Sequence, residues 1–593
     1  MMSLLRSVWQ APRRLLLLAV AGVLLVQLAL VVQSASARGF GSSDAGVKLW
    51  QVQSTARTGR LDTPIDYRGA IYDPDHKYSP FVPPWFFWQD NEPYSEYSSP
   101  FIWASAPLYA WFGHVGLLLM PWLAGALLVM MGAWLAWRVQ PNRWAALAPI
   151  VVGFSSPVLI YSLEFWEHTA GAGLATFAVL ALVRAVDSSR RAAWLIAAGA
   201  ASGLGLTMRA ELYVFPVALA IGLLLLRSRL PLLRSISLIA IGGLLTAGPW
   251  WVYQALRWGS PLGPRLSQNV PALGGSAMLD RLGDTTGRNW TMFWPSAGVG
   301  LDWLMALGGG LLMVTLAWVV LRRTRFNSII FKAQISLLIV MAGLLAWRIA
   351  TWQMETGQRP DDLLTTFPIA LLLVLVLPRP DQSVSCETAS PRAPHVARAL
   401  LGVALSFMLL VLIASPFQGG VQWGPRFLLP GIVPLTVGVI AYLARSWRSF
   451  DRPRRAGLGV ALIVLLVVGG YSTWNGVRFI HDGQAGNVAL QNLIAAAPEQ
   501  VVVTDAWFIP QGAPYSFENK IWLMAENEED MFALIQLLRK TTNEPGILYI
   551  SSLTWAHIDP QILMGPRIAL NGEPRVFDWP GTYLQVSRYL LLK

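Results

Sequence analysis

Apolar runs long enough to cross a lipid bilayer recur along this chain, and no other feature narrows its possible folds as much. A helix rises about 1.5 Å per residue and satisfies its own backbone groups, so about 20 apolar residues span the hydrocarbon core. Such runs fall at about 15–32, 115–137, 144–161, 169–186, 192–208, 212–226, 235–255, 301–321, 331–350, 363–377, 398–415, 427–444 and 456–474. Of the 593 residues only 13% are charged, against about 25% in ordinary soluble domains. The pattern predicts an all-α polytopic membrane protein with about thirteen transmembrane helices. The first run follows Arg6, Arg13 and Arg14 and precedes Ser34-Ala35-Ser36-Ala37. It is longer than a typical signal-peptide core and reads as a retained span.

The formal net charge of +12 is carried by arginines in short clusters between the apolar runs, without the aromatic-interleaved patch of a nucleic-acid binder. Cytoplasmic connections retain lysine and arginine. One alternate set of connections holds Arg138 and Arg143; Arg184, Arg190 and Arg191; Arg227, Arg229 and Arg234; Arg322, Arg323 and Arg325; Arg379, Arg392 and Arg398; and Arg445, Arg448, Arg452, Arg454 and Arg455. The N-terminus is therefore expected inside and, with an odd span count, the C-terminus outside. Two long loops, about 33–114 and 256–300, then face the outer compartment, as do the turn at 162–168 and the segments around 351–362 and 416–426. Pro378–Pro394 reads as a cytoplasmic linker. The lone cysteine, Cys386, permits neither an internal disulfide nor a cysteine-based metal site.

Beyond about Asn475 the apolar runs stop. Strand-like Val501–Thr504 and Ile547–Ile550 alternate with a helix-like Glu528–Lys540. The chain thus divides into a transmembrane module, 1–475, and a small extracytoplasmic α/β domain, 476–593. Asp505, just after a strand, reads as a turn or cap residue in preference to a ligand in a crevice.

Chemistry-bearing residues gather in the outer connections. Asp44 opens a helix-compatible run about a dozen residues after the first span, where an N-cap role is the simplest alternative to a catalytic one. The same loop is rich in aromatics and ends in Ser98-Ser99-Pro100-Phe101 and Pro107-Leu108-Tyr109-Ala110-Trp111-Phe112-Gly113, suited to the membrane interface. Glu164-Phe165-Trp166-Glu167-His168 forms a charged turn; if helical, it sets Glu164 near both Glu167 and His168. That spacing offers a carboxylate–imidazole pair but lacks the first histidine of a zinc-hydrolase motif. Arg209, beside Glu211, and Arg426, in Trp423-Gly424-Pro425-Arg426-Phe427-Leu428-Leu429-Pro430, lie near the outer face. A guanidinium suits phosphate oxygens there, with pairing to Glu211 and headgroup anchoring as the plainer roles.

The order of these features resembles the GT-C superfamily of membrane glycosyltransferases: a first span, an early loop aspartate, the Ser-Pro and Pro-Leu-Tyr loop end, Phe-Trp-Glu-His, Thr-Met-Arg-Ala-Glu, and Trp-Gly-Pro-Arg-Phe-Leu-Leu-Pro. Its nearest branch is the bacterial relatives of protein O-mannosyltransferases and aminoarabinose transferases, and the likeness covers about residues 1–475. The resemblance implies a polyprenyl-phosphate-sugar donor, a glycan, lipid or protein acceptor, inversion at the anomeric carbon, and a bacterial plasma (inner) membrane. It casts Asp44 as the base, Glu167 or Glu164 as the second-loop acid, and Arg426 and Arg209 as ligands of the departing phosphate. His168 joins these as a substrate-binding candidate. The first loop carries a lone Asp44 where the eukaryotic mannosyltransferases have an Asp-Glu pair. A divalent metal, the particular sugar and the oligomeric state are left open. The rival class is a transporter or lipid flippase, which places ionisable groups near the bilayer midplane in repeated halves; here they collect at the outer span ends.

Overall fold

The computed structural model describes residues 11–264, 289–294, 307–311, 314, 328–351, 360–376, 393–415, 423–554, 558–559, 567–579 and 582–592. Most of the predicted 301–321 span, the outer segments 265–288 and 352–359, and most of the Pro378–Pro394 linker lie outside the described residues. Among the described residues eight helices are long and apolar enough to cross a membrane. They are α1 (Pro12–Ser36), α4 (His114–Val139), α5 (His168–Asp187), α8 (Leu232–Trp258), α9 (Ser328–Thr351), α10 (Ala393–Ala414), α11 (Leu429–Ser449) and α12 (Arg452–Ala496). Between α1 and α4 lie α2 (Ser43–Thr58) and α3 (Ser99–Phe112). α6 (Arg191–Met208) and α7 (Phe215–Leu225) sit between α5 and α8.

Two expected spans are broken. The 144–161 run divides into helices Leu147–Phe154 and Val158–Ser162 around Ser155-Ser156-Pro157. The 363–377 run divides around Pro368, where Phe367 leaves helical geometry. A proline cannot donate its backbone bond and disfavours helix at the preceding residue. Hydropathy registers apolar length and is blind to such breaks.

Small residues let the spans approach closely. A Cβ on Gly199 of α6 would lie 1.9 Å from the Ile239 carbonyl of α8, and one on Gly242 would lie 2.0 Å from the Ile196 carbonyl. Without a hydrophobic drive between helices in lipid, such backbone proximity gives packing its grip. α10 and α11 pack side by side, and α11 runs through the centre, with Ile432, Val433, Leu435 and Val439 fully buried.

The loop between α1 and α4 and the tail after α12 pack together. α2 ends at Gly59, whose φ of 68° is left-handed and whose N–H returns to the Thr55 carbonyl at 2.9 Å. A hairpin of β1 (Phe86–Gln89) and β2 (Glu92–Ser95) follows, then α3, whose Trp111 and Phe112 are exposed.

The tail holds β3 (Val501–Thr504), β4 (Ile521–Met524), helix α13 (Glu528–Thr541), β5 (Gly546–Ser552), β6 (Ile568–Leu570), β7 (Arg575–Trp579) and β8 (Thr582–Leu591). The sheet order is β4-β3-β5-β8-β6, with β7 also on β8; β4, β3 and β5 are mutually parallel and β8 is antiparallel. α13 is capped by Asn527, which accepts from the Asp530 N–H at 2.9 Å, and buries Met531, Leu534, Ile535 and Leu538 against the sheet.

The Trp50 indole donates to the Pro514 carbonyl at 2.9 Å, and Trp85 stacks on Trp507. The first loop and the tail sheet therefore occupy the same side of the helical bundle.

Candidate active site

The site is built from three short segments that α12 and the bundle hold in register. The first is the entry to α2. Gln484 of α12 donates to the Ser34 and Gly39 carbonyls at 2.6 and 2.8 Å, and Asn487 donates to the Phe40 carbonyl at 2.7 Å. Glu164 holds the same strand from the opposite side. It accepts the Gly41 N–H at 2.8 Å and faces the Ser42 hydroxyl at 3.5 Å. Asp44 then falls inside the first turn of α2, and Ser42 occupies the N-cap. Its carboxylate is free of capping and reaches Arg426 Nη1 at 3.3 Å.

The second segment is the turn 163–167. It is not helical, so Glu164 and Glu167 do not share a helix face. Glu164 turns to Gly41, while Glu167, fully buried at the start of α5, takes Lys48 Nζ at 2.8 Å and Arg209 Nη1 at 2.6 Å. Arg209, at the end of α6, also donates from Nε to both oxygens of Glu211 at 3.0 and 3.1 Å. His168 packs edge-on against Tyr161 and close to Trp166. Glu164 and His168 thus have separate surroundings, and among the described residues no three His, Cys, Asp or Glu side chains gather to hold a metal.

The third segment is Gly424-Pro425-Arg426. Gly424 has a φ of 78°. Its N–H donates to the Pro360 carbonyl at 2.8 Å and its carbonyl accepts the Tyr161 hydroxyl at 3.0 Å. This clamp aims Arg426 at Asp44. The Phe427 ring lies between two guanidinium groups, 5.6 Å from Arg209 and 5.3 Å from Arg426.

Asp44, Glu164, Glu167, Arg209 and Arg426 thus belong to one cluster, with His168 at its edge. Lys48 is the member that no sequence motif marks. It is a 1% exposed lysine one turn after Asp44, with its ammonium 4.4 Å from the Tyr97 ring. Its signal in the sequence is the four-residue spacing from Asp44 inside the apolar run Ala45-Gly46-Val47-Lys48-Leu49-Trp50.

Burial pulls the Lys48 ammonium below the ordinary lysine range, against the opposing pull of Glu167 and Asp44. Burial also pushes the Glu164 carboxyl up to about 8, partly countered by the Gly41 N–H and Lys48. Asp44, Glu167 and Glu211 face Arg426, Lys48 and Arg209 within the one cluster. Among the four acids Asp44 is the exposed one, with 22% of its side chain open; Glu167 is sealed at 0%.

No protein-family model and no curated protein matches the chain. Over most of its length it is similar to several solved structures. The aminoarabinose transferase ArnT from Cupriavidus metallidurans, in a structure bound to undecaprenyl phosphate, is 13% identical over 96% of this chain and 97% of its own, with a TM-score of 0.42. The oligosaccharyltransferase of Archaeoglobus fulgidus in its apo form is 12% identical over 88% of this chain and 69% of its own, with a TM-score of 0.46.

Proposed function

We propose that the chain is an inverting glycosyltransferase that moves a sugar from a polyprenyl-phosphate donor to an acceptor hydroxyl at the outer face of a bacterial inner membrane. The observation that carries this reading is the accessible Asp44 carboxylate set against Arg426 at the membrane boundary, beside the buried Lys48–Glu167–Arg209 network. Asp44 takes the proton of the acceptor hydroxyl as its oxygen forms the new bond to the anomeric carbon. The bond from that carbon to the phosphate oxygen breaks on the opposite side, and the lipid phosphate leaves with the electron pair. Arg426 stands beside Asp44 and meets the charge that develops on the leaving phosphate. Arg209 and Lys48 both pair with Glu167, which fixes their positions beside the Asp44–Arg426 pair.

In this reading the count of about thirteen spans, the inside N-terminus and the outer α/β domain at 476–593 set Asp44 and the tail sheet on the outer side. The test is a transfer assay with radiolabelled undecaprenyl-phosphate sugars and a panel of acceptor glycans, lipids and peptides. Asp44→Asn is expected to lower turnover about 100-fold or more with donor binding retained; unchanged turnover removes Asp44 as the base and with it this mechanism.

A further inference from the structure

A cleft of about 70 Å³ opens beside the ion network, and its lining differs in chemistry from the network itself. One wall is the outer end of α8, where Trp250, Gln254 and Trp258 recur every four residues and therefore share one helix face. The facing wall is the stretch from Ser95 to Ser99, and the floor is the end of α6 from Leu206 to Arg209. The walls are firmly built. The Ser98 hydroxyl donates to the Thr207 carbonyl at 2.9 Å, and Trp258 is packed edge-on by Phe87 and Tyr94. Arg257 lies 4.4 Å over the Trp258 ring, and Tyr253 hydrogen-bonds Asp62.

Two facts point to the occupant. Gln254 is 8% exposed and its Oε1 has no hydrogen-bond partner among the described residues, a buried acceptor that a ligand hydroxyl would satisfy. Around it stand indole and phenol rings with serine hydroxyls and Glu96, the mixture of apolar faces and fixed polar groups that holds a pyranose or furanose ring. An acyl tail would need none of the polar groups. The opposite face of α8 exposes Val252 and Leu256 to the surroundings. Tyr97 and Arg209 belong both to the cleft and to the ion network, which gives the two sites a common wall.

We infer that this cleft is the carbohydrate subsite for the donor, with Gln254 Oε1 accepting from a sugar hydroxyl and the α8 indoles covering the ring. The inference rests on the lipid-linked donor proposed above. The test uses the full chain in lipid nanodiscs and measures binding of undecaprenyl phosphate alone, undecaprenyl-phosphate-linked hexose, N-acetylhexosamine and aminopentose, and the matching free methyl glycosides. Wild type is expected to bind at least one sugar-linked lipid about tenfold more tightly than the bare lipid. Gln254→Leu is expected to abolish that gain and leave bare-lipid affinity unchanged; Gln254→Met, which removes the acceptor at nearly the same volume, supplies the same comparison if the leucine variant does not fold.

Equal affinity for bare and sugar-linked lipids in wild type overturns the subsite while leaving a lipid-phosphate site standing. Loss of both lipid classes in a folded Gln254 variant assigns the residue to the scaffold and also overturns it. Preference for the free glycosides over the linked lipids assigns the cleft to the acceptor and overturns the donor assignment. A wild type that binds no lipid of either kind overturns the functional reading as well.

Discussion

Lys48 and Glu167 show what a buried charge demands of its neighbours. At 1% and 0% exposure neither keeps its hydration, and Lys48 depends on Glu167 while Glu167 also holds Arg209 at 2.6 Å. A buried charge left with no partner costs about 3–5 kcal/mol, and the retained Arg209 keeps the loss on removing Lys48 below that. Lys48→Met is therefore expected to lower the thermal unfolding temperature moderately. Adding Glu167→Gln should recover part of the loss, a coupling that a double-mutant cycle measures.

Glu164 makes a different prediction. Its folded-state pKa of about 8 lies above its ordinary 4.5, so between those pH values the folded state holds the proton more tightly than the unfolded state does. Its contribution to stability is fully present below about pH 4.5 and is lost as pH rises through 8. Glu164→Gln should flatten the fall in unfolding temperature across that window, and an unchanged slope would assign the titration to another group. The order of short motifs points to Asp44, Glu164, Glu167, Arg209 and Arg426, which the fold brings into one cluster. Lys48 carries no such mark, because an isolated lysine in an apolar run has no pattern until the fold brings it to a carboxylate.

At the scale of elements, the connections matter as much as the helices. The turn at Gly424 admits no Cβ without strain, since one would sit 3.0 Å from both Pro157 Cβ and Thr366 Oγ1 at a left-handed φ. Gly424→Ala should cost about 1–3 kcal/mol. It should also depress transfer more than Tyr161→Phe, which removes only the hydroxyl donated to the Gly424 carbonyl.

Within α8, Gly242→Val should collapse folded yield because the Ile196 carbonyl occupies its space. Gly248→Ala in the same helix has nothing within 4 Å and should be tolerated; size-exclusion profiles in detergent separate the two. The apolar runs foretold where most helices lie, and the strand-like segments foretold the tail sheet. The breaks at Pro157 and Pro368 went unseen because hydropathy averages over the very residues that interrupt the backbone.

For the whole molecule, the first loop and the tail sheet share one side, and the arginine-rich connections are expected on the other. In a Cys386→Ser background, cysteines placed at the exposed positions Arg60 and Glu573 should both react with a membrane-impermeant maleimide in intact cells. One at the exposed Arg452 should react only after permeabilisation. Labelling of Arg60→Cys from the inside alone would invert the topology and remove the proposed chemistry.

The 45 residues of α12 form a continuous mast of about 68 Å, roughly twice the hydrocarbon thickness. Near its top, one amide faces two ways: Asn487 holds the Phe40 carbonyl through Nδ2 and receives the Trp579 indole N–H on Oδ1. The tail is consequently no detachable ornament. Cutting the chain at Ala496 would take Trp579 from Asn487, Pro514 from Trp50 and the Gln511 backbone from beside Gly46, loosening the helix that carries Asp44.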